Sequence, residues 1–283
     1  MHFVHFVSFR NRASPDRVLC GSETETDGNQ TLGVNIMIVS ILIFLASIVP
    51  GVLIIVWMWK RNQTDALYKK SCKSALIRGL ISVLPILGVS AVFYILNRIL
   101  RLTLLKDANV LVYQALYTFI VLAFAEELVK YLCFRFLLKK RYNAYSWADV
   151  VAFMVIIGTA FGLVEDIPYA IGASPIIMLV RGFTMGHVSY GFMMGWFHGK
   201  GLYTGKKIYG VLAFLLPFLL HGLYDFSLSE ELIALNDNFS FIGISMAVFD
   251  LVLLALMIRF FIRSKKKDFY NQPLVEAIAY DAK

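Results

Sequence analysis

The sequence predicts an all-α, polytopic membrane protein with about seven transmembrane helices. Three observations carry that expectation. Of its 283 residues 59% are hydrophobic and only 16% are charged, where a soluble domain carries roughly a quarter charged residues. The mean hydropathy is +0.69. The charges are also gathered between long apolar runs instead of being spread along them, the pattern left when helices of about 20 residues cross hydrocarbon. Disorder, coiled coil and collagen are excluded by the same composition.

Taken in order, the first helix is expected over 34–58, a mainly apolar, uncharged run that stops at Lys60 and Arg61. The second, over 75–96, lies between a basic cluster and Arg98. The third, over 109–138, is long enough that it must tilt or begin as an interfacial turn. The fourth covers 147–171, the fifth 175–198, the sixth 207–228 and the seventh 239–262. Residues 34–263 thus form one integral membrane domain. Residues 1–33, polar around SETETDGNQT, read as a disordered tail, and 264–283 as a cytoplasmic tail. Met37 is an alternative to Met1 as the true start. A signal peptide is not expected, because the basic residues Arg10, Arg12 and Arg17 follow the short apolar run of residues 1–9.

The net charge of +8 does not point to nucleic acid, because of where the charge lies. Lys60, Arg61, Lys69, Lys70, Lys73 and Arg78 fall in one inter-helix region. Lys139, Lys140 and Arg141, then Lys200, Lys206 and Lys207, then Arg263, Lys265, Lys266 and Lys267 fall in alternate ones. The other set holds only Arg98, Arg101 and Lys106. By the positive-inside rule the N-terminus is outside and the C-terminus cytoplasmic. Cys20, Cys72 and Cys133 have no pairing pattern and support no redox chemistry.

An ionisable side chain inside a membrane costs several kcal/mol unless paired or hydrated, so each is a functional candidate. Helix three holds Glu126, Glu127 and Lys130, helix four Glu165, helix five His187, and helix six His221 and Asp225. Glu126 and Lys130 are four apart, as are Phe161 and Glu165, and His221 and Asp225, so each pair shares one helix face. The polar stripes converge at one depth. Two imidazoles with carboxylates suit a divalent metal, typically zinc, and a metal-activated water. Glu126 and Glu127 point about 100° apart, so one is a candidate general base while the other pairs with Lys130. A metal-free, glutamate-activated water is the alternative, with histidines stabilising the oxyanion.

The ordered motifs EELVK (Glu126 to Lys130), FGLVE (Phe161 to Glu165) and HGLYD (His221 to Asp225) resemble the EExxK, FxxxE and HxxxD motifs of the PrsW family of intramembrane proteases. The stretch RGFTMGHVSYGFMMG resembles that family's segment with an intervening histidine, and IVPGVLIIVWMW extends the likeness weakly to the first helix, so that it covers roughly 45–230. The resemblance implies a multi-pass protease of the bacterial cytoplasmic membrane. Its partners would be the lipid bilayer and a membrane-anchored protein substrate, such as an anti-sigma factor. The resemblance also implies distant kinship with type II CAAX prenyl proteases, from whose pattern Glu165 and Asp225 depart. By this reading Glu126, Glu127, Lys130 and Glu165 are catalytic, and His187, His221 and Asp225 hold the metal.

Other readings compete. A seven-helix metal-dependent lipid amidase would also use His and Asp, and a cation-coupled transporter would also keep acids in the membrane, although no duplicated halves are visible. Asp250, in helix seven, reads as a structural partner or as a group supporting the site. Asp166 and Arg181 are expected at the outer aqueous boundary, and His198 is expected to be solvated at the cytoplasmic end.

Overall fold

The structure is a computed structural model. It describes residues 24–62, 64–139, 144–172, 175–265 and 270–273, with side chains from 38 onward except 169–178. Residues 1–23 of the expected N-terminal tail and most of the expected C-terminal tail lie outside the described residues. Among the described residues all regular structure is helical, apart from a single antiparallel bridge between Ser146 and Pro273. The helices are α1 (Thr24–Lys60), α2 (Ala66–Ile81), α3 (Val83–Thr103), α4 (Val110–Ala115), a π-helical stretch π1 (Leu116–Phe124), α5 (Ala125–Leu138), α6 (Trp147–Gly172), α7 (Pro175–Thr184), α8 (Gly186–Thr204), α9 (Lys207–Ser227), α10 (Glu230–Leu235) and α11 (Asn238–Ser264).

Among the described residues five stretches are long and apolar enough to cross a membrane: Ile38–Lys60, Ala66–Thr103, Trp147–Pro168, Lys207–Ser227 and Asn238–Ser264. The protein is therefore a multi-pass, all-helical membrane protein. These five overlap the first, second, fourth, sixth and seventh expected helices. The helix expected to start at 75 starts at Ala66, where Asp65 caps it by accepting the N–H groups of Leu67 and Tyr68. Its hydrogen-bond ladder is interrupted at Ser82, because Pro85 has no N–H to offer the carbonyl of Ile81. The first helix begins at Thr24, ahead of the expected residue 34.

Two expected helices differ more. The third runs on without a gap through α4, π1 and α5, but nine residues of it are π-helical. The fifth is not one helix. It breaks at Met185, whose φ of 49° and ψ of 48° place a non-glycine residue in the left-handed region, a conformation that ordinarily costs of order 1 kcal/mol or more. What holds Met185 there is packing on both sides of it. A Cβ on Gly182 would sit 2.5 Å from the Ser47 carbonyl oxygen of α1, and one on Gly158 of α6 would sit 2.3 Å from the His187 carbonyl oxygen. Both flanks are thus packed tightly against other helices.

The core forms around α6. Of its membrane-spanning window 72% is buried inside the protein, against 17–28% for the other four, so α6 is the central helix and the others turn much of their surface to lipid. Its closest partner is α8. The two backbones approach at Gly191 and Gly195, where an added Cβ would fall 2.9 Å from the Met154 carbonyl oxygen and 2.9 Å from Val151 Cα. This is the small-residue packing used where helices gain little from hydrophobic burial against each other. His198 also differs from expectation. It is 7% exposed, with Nδ1 3.0 Å from the Tyr131 hydroxyl and its ring edge-on to Phe134, because α5 covers this end of α8.

Candidate active site

The first turn of α5 carries Glu126 and Glu127, and π1 sets its position. The π1 rings interlock with α9: Phe124 is edge-on to Phe214 and Phe218, and Phe119 is edge-on to Phe218. Gly222 leaves the space that Phe119 fills, since a Cβ there would lie 2.4 Å from the ring. This brings His221 against the α5 carboxylates. π-helical turns recur at functional sites because they shift the side chains that follow.

Glu127 is the most committed group. Its Oε1 accepts Lys130 Nζ at 2.6 Å and lies 2.8 Å from His221 Nδ1, and Glu127 and Lys130 are each 1% exposed. A carboxylate only accepts, so His221 Nδ1 carries the proton and donates it, which leaves Nε2 to point the other way. Nε2 lies 3.4 Å from Asp225 Oδ2 and 3.9 Å from Glu126 Oε2. Lys130 Nζ also lies 3.0 Å from His187 Nδ1 and 4.5 Å from the centroid of the Phe161 ring. An ammonium only donates. His187 Nδ1 therefore accepts, and His187 Nε2 donates to Glu165 Oε2, its close partner.

Glu126 is the opposite case. It is the Oε2 of this residue that is buried without a hydrogen-bond partner, with Lys130 Nζ at 3.8 Å. The sequence places Glu126 on the face of Lys130 at i,i+4 and leaves open which of the two carboxylates pairs with it. The short bond runs from Lys130 to Glu127 at i,i+3, because His221 faces Glu127 from α9 and completes that arrangement.

The remaining charges close the outer side. Arg181 lies 3.2 Å from Glu165 Oε2 through Nη2 and donates to Asp166 Oδ1 at 3.0 Å through Nε. These two residues were expected at the aqueous boundary, and they line a cleft of about 60 Å³ together with Glu165, His187, His221 and Asp225. That volume admits several waters, one needing roughly 10–15 Å³. Glu126, Glu127 and Lys130 stand behind His221, outside the cleft walls.

All seven residues expected at the site thus meet in one connected cluster. Sequence reasoning missed Tyr190, whose ring stacks on His221 at 5.3 Å and 24°. Its i,i+3 spacing from His187 on α8 was the available signal. Tyr190 donates its hydroxyl to Asp250 Oδ2 at 3.4 Å, and Asp250 is fully buried. Asp250 therefore supports the ring that backs His221.

The donor chemistry suits a divalent ion. Single ligand atoms of Glu126, Glu127, His187 and His221 all lie within 4.8 Å of one another. Ligands around a tetrahedral zinc stand about 3.4 Å apart, and the Asp225 and Glu126 oxygens lie 3.4 and 3.9 Å from His221 Nε2. The Glu126 oxygen without a partner is what a missing cation or water would leave. His221 also follows the usual pattern of a ligating histidine, whose other nitrogen donates to a carboxylate.

A family model described as PrsW family intramembrane metalloprotease matches residues 74–257. The chain belongs to the PrsW family. Among curated relatives, Protease PrsW of Shouchella clausii (strain KSM-K16) is 28% identical over 197 residues, which is 66% of this chain and 83% of that protein. Protease PrsW of Oceanobacillus iheyensis (strain DSM 14371 / CIP 107618 / JCM 11309 / KCTC 3954 / HTE831) is 32% identical over 114 residues, 39% of this chain and 53% of that protein. Protease PrsW of Clostridioides difficile (strain 630) is 27% identical over 201 residues, 67% and 80%. No solved structure matches. This PrsW-family chain is thus a membrane-embedded protease. The matched span starts after α1, so IVPGVLIIVWMW lies outside it, and it extends into α11 past Asp250.

The close approach of α6 to His187 gives a test of the geometry. Gly158→Ala would push a methyl group into the His187 carbonyl oxygen, 2.3 Å away. The expected cost is about 1–3 kcal/mol, measured as a lowered unfolding midpoint in detergent, with proteolysis falling further than stability because His187 moves. An unchanged midpoint would show that α6 and α8 do not pack this closely.

Proposed function

We propose that this protease cleaves a membrane-anchored protein substrate, such as an anti-sigma factor, in the bacterial cytoplasmic membrane, and that Glu126 activates the attacking water. The observation that carries the reading is the contrast between two adjacent carboxylates. Glu127 is held by Lys130 and His221, whereas Glu126 Oε2 is buried without a hydrogen-bond partner 3.9 Å from His221 Nε2. Glu126 takes the proton of a water held beside His221 Nε2, between the cleft and the buried carboxylates. Glu127 and Lys130 position His221 and His187. The first N–H groups of α8, at Gly186 and His187, have no intrahelical partner, border the cleft, and suit the developing oxyanion.

His187, His221 and Asp225 are the proposed holders of a divalent ion, most simply zinc, and binding at His187 requires Lys130 or Glu165 to release a ring nitrogen. When bound, such an ion supplies Lewis acidity, which makes water nucleophilic near neutral pH and polarises the scissile carbonyl. The proposed topology has seven crossings, the third through α4, π1 and α5 and the fifth through α7 and α8. It places residues 34–263 in the membrane domain, the N-terminus outside and 264–283 in the cytoplasm, following the basic residues.

Metal analysis of purified protein tests the ion. About one bound divalent ion per chain is expected, lost in His221→Ala and in Asp225→Ala, with a single-span substrate cleaved only by the loaded protein. Full cleavage by metal-free protein would overturn the metal reading. It would favour the glutamate mechanism, which Lys130 supports by standing 2.6 Å from Glu127 and 3.0 Å from His187 as a built-in cation.

A further inference from the structure

A second polar cavity lies at the other end of α5. Lys70, Ser74 and Arg78 are spaced i, i+4, i+8 on α2, so they form one stripe, with Ser71 beside it. With Phe136, Leu137 and Tyr145 these residues wall a cavity of about 220 Å³, and none of the lining residues is acidic. Phe136 stands six residues beyond Lys130, about 9 Å further along the helix.

The polar groups here are held in place by one another, and the two cations keep donors to spare. Arg78 Nε donates to Ser74 Oγ at 3.3 Å, which orients the guanidinium plane and leaves the Ser74 hydroxyl proton free. Ser71 Oγ donates to the Leu67 carbonyl oxygen at 2.9 Å and lies 2.7 Å from the Tyr145 hydroxyl, which fixes the floor. Among the described residues neither Lys70 nor Arg78 has a carboxylate partner. A guanidinium fork, an ammonium and a hydroxyl around one space suit a phosphate group. The apolar side decides what the phosphate is attached to. Phe136 is 59% exposed on the lipid-facing surface, beside Leu137, so the ligand carries hydrocarbon.

We infer that this cavity binds the headgroup of an anionic phospholipid. Its phosphodiester lies among Lys70, Ser74 and Arg78, and its acyl chains descend along Phe136. Such a lipid bridges α2 to α5, the helix that carries Glu126, Glu127 and Lys130, and it braces the active-site helix from the opposite membrane face. The inference needs the membrane setting but not the protease reading.

Native mass spectrometry of the full chain, purified with phosphatidylglycerol or phosphatidylcholine, tests it. One phosphatidylglycerol is expected to be retained in preference to phosphatidylcholine. Arg78→Gln and Lys70→Gln should each weaken retention about fivefold, the effect of one basic residue at an anionic surface. Lys69→Gln and Lys73→Gln remove the same charge from exposed positions of α2 outside the cavity, and they should retain the lipid as wild type does. Equal losses in all four variants would overturn the site in favour of diffuse surface charge. Displacement by inorganic phosphate at the concentration of the lipid would overturn it in favour of a free-anion site, and so would equal retention of phosphatidylcholine. Circular dichroism and thermal midpoints in detergent identify any variant that fails to fold, and Arg78→Lys then serves as the second test, retaining the charge but losing the fork and about half of the preference.

Discussion

Glu126→Gln is expected to lower cleavage of a single-span substrate by about 10²–10⁴-fold, the range of a lost general base, and to leave folding almost unchanged. The two halves of that expectation have one cause. Glu126 Oε2 is buried and makes no hydrogen bond, so its carboxylate contributes little to stability that an amide of the same shape would forfeit. Its distance of 3.9 Å from His221 Nε2, the ring nitrogen that also faces Asp225 Oδ2 at 3.4 Å, places it beside the nitrogen proposed to hold the ion. Cleavage rate and thermal midpoint measured on the same detergent preparation separate the two effects. A variant with undiminished cleavage would remove Glu126 from the mechanism and return the role of base to Glu127.

Lys130→Met should act the other way, through the fold first. It removes the cation that Glu127 Oε1 holds at 2.6 Å and leaves a carboxylate that is 1% exposed facing His221 alone. Breaking a buried ion pair by deleting one member costs about 3–5 kcal/mol, whereas replacing both by apolar or neutral groups costs far less. The double variant Glu127→Gln with Lys130→Met is therefore expected to recover most of the stability lost in Lys130→Met alone. Denaturant unfolding in mixed micelles, arranged as a double-mutant cycle, gives the coupling energy. Additive losses would mean that the pair does not stabilise the site. Neither variant should cleave, because both remove the ammonium that orients His187 and the double variant also removes the carboxylate that orients His221.

The site was largely legible in the sequence for a physical reason. Charged groups are rare in hydrocarbon, so the few present stand out, and i,i+4 spacing assigns each to a helix face without knowledge of the neighbours. Tyr190 and Asp250 were harder. An aromatic residue in a membrane helix is ordinary, and only its stacking on His221 gives it a role. The break at Met185 has no reliable local signature, since RGFTMGHVSYGFMMG reads as one apolar helix. It is imposed by the contacts of Gly182 with Ser47 and of Gly158 with His187. The π-helical register of LYTFIVLAF is likewise invisible to hydropathy. His198 was misread because its place at the cytoplasmic end of an expected helix suggested solvent, while Tyr131 and Phe134 cover it from a helix more than sixty residues away.

By itself the sequence determined the membrane setting, most of the helices and which residues form the polar stripes, because hydropathy and helical spacing are local properties of the chain. Only the tertiary structure decided which carboxylate is committed and which is free, which ring nitrogen donates and where a helix must break. Those outcomes depend on the rotation and register of helices that meet across 57 residues at Lys130 and His187 and 94 at Glu127 and His221, and contacts at that separation leave no periodic trace in either strand of sequence.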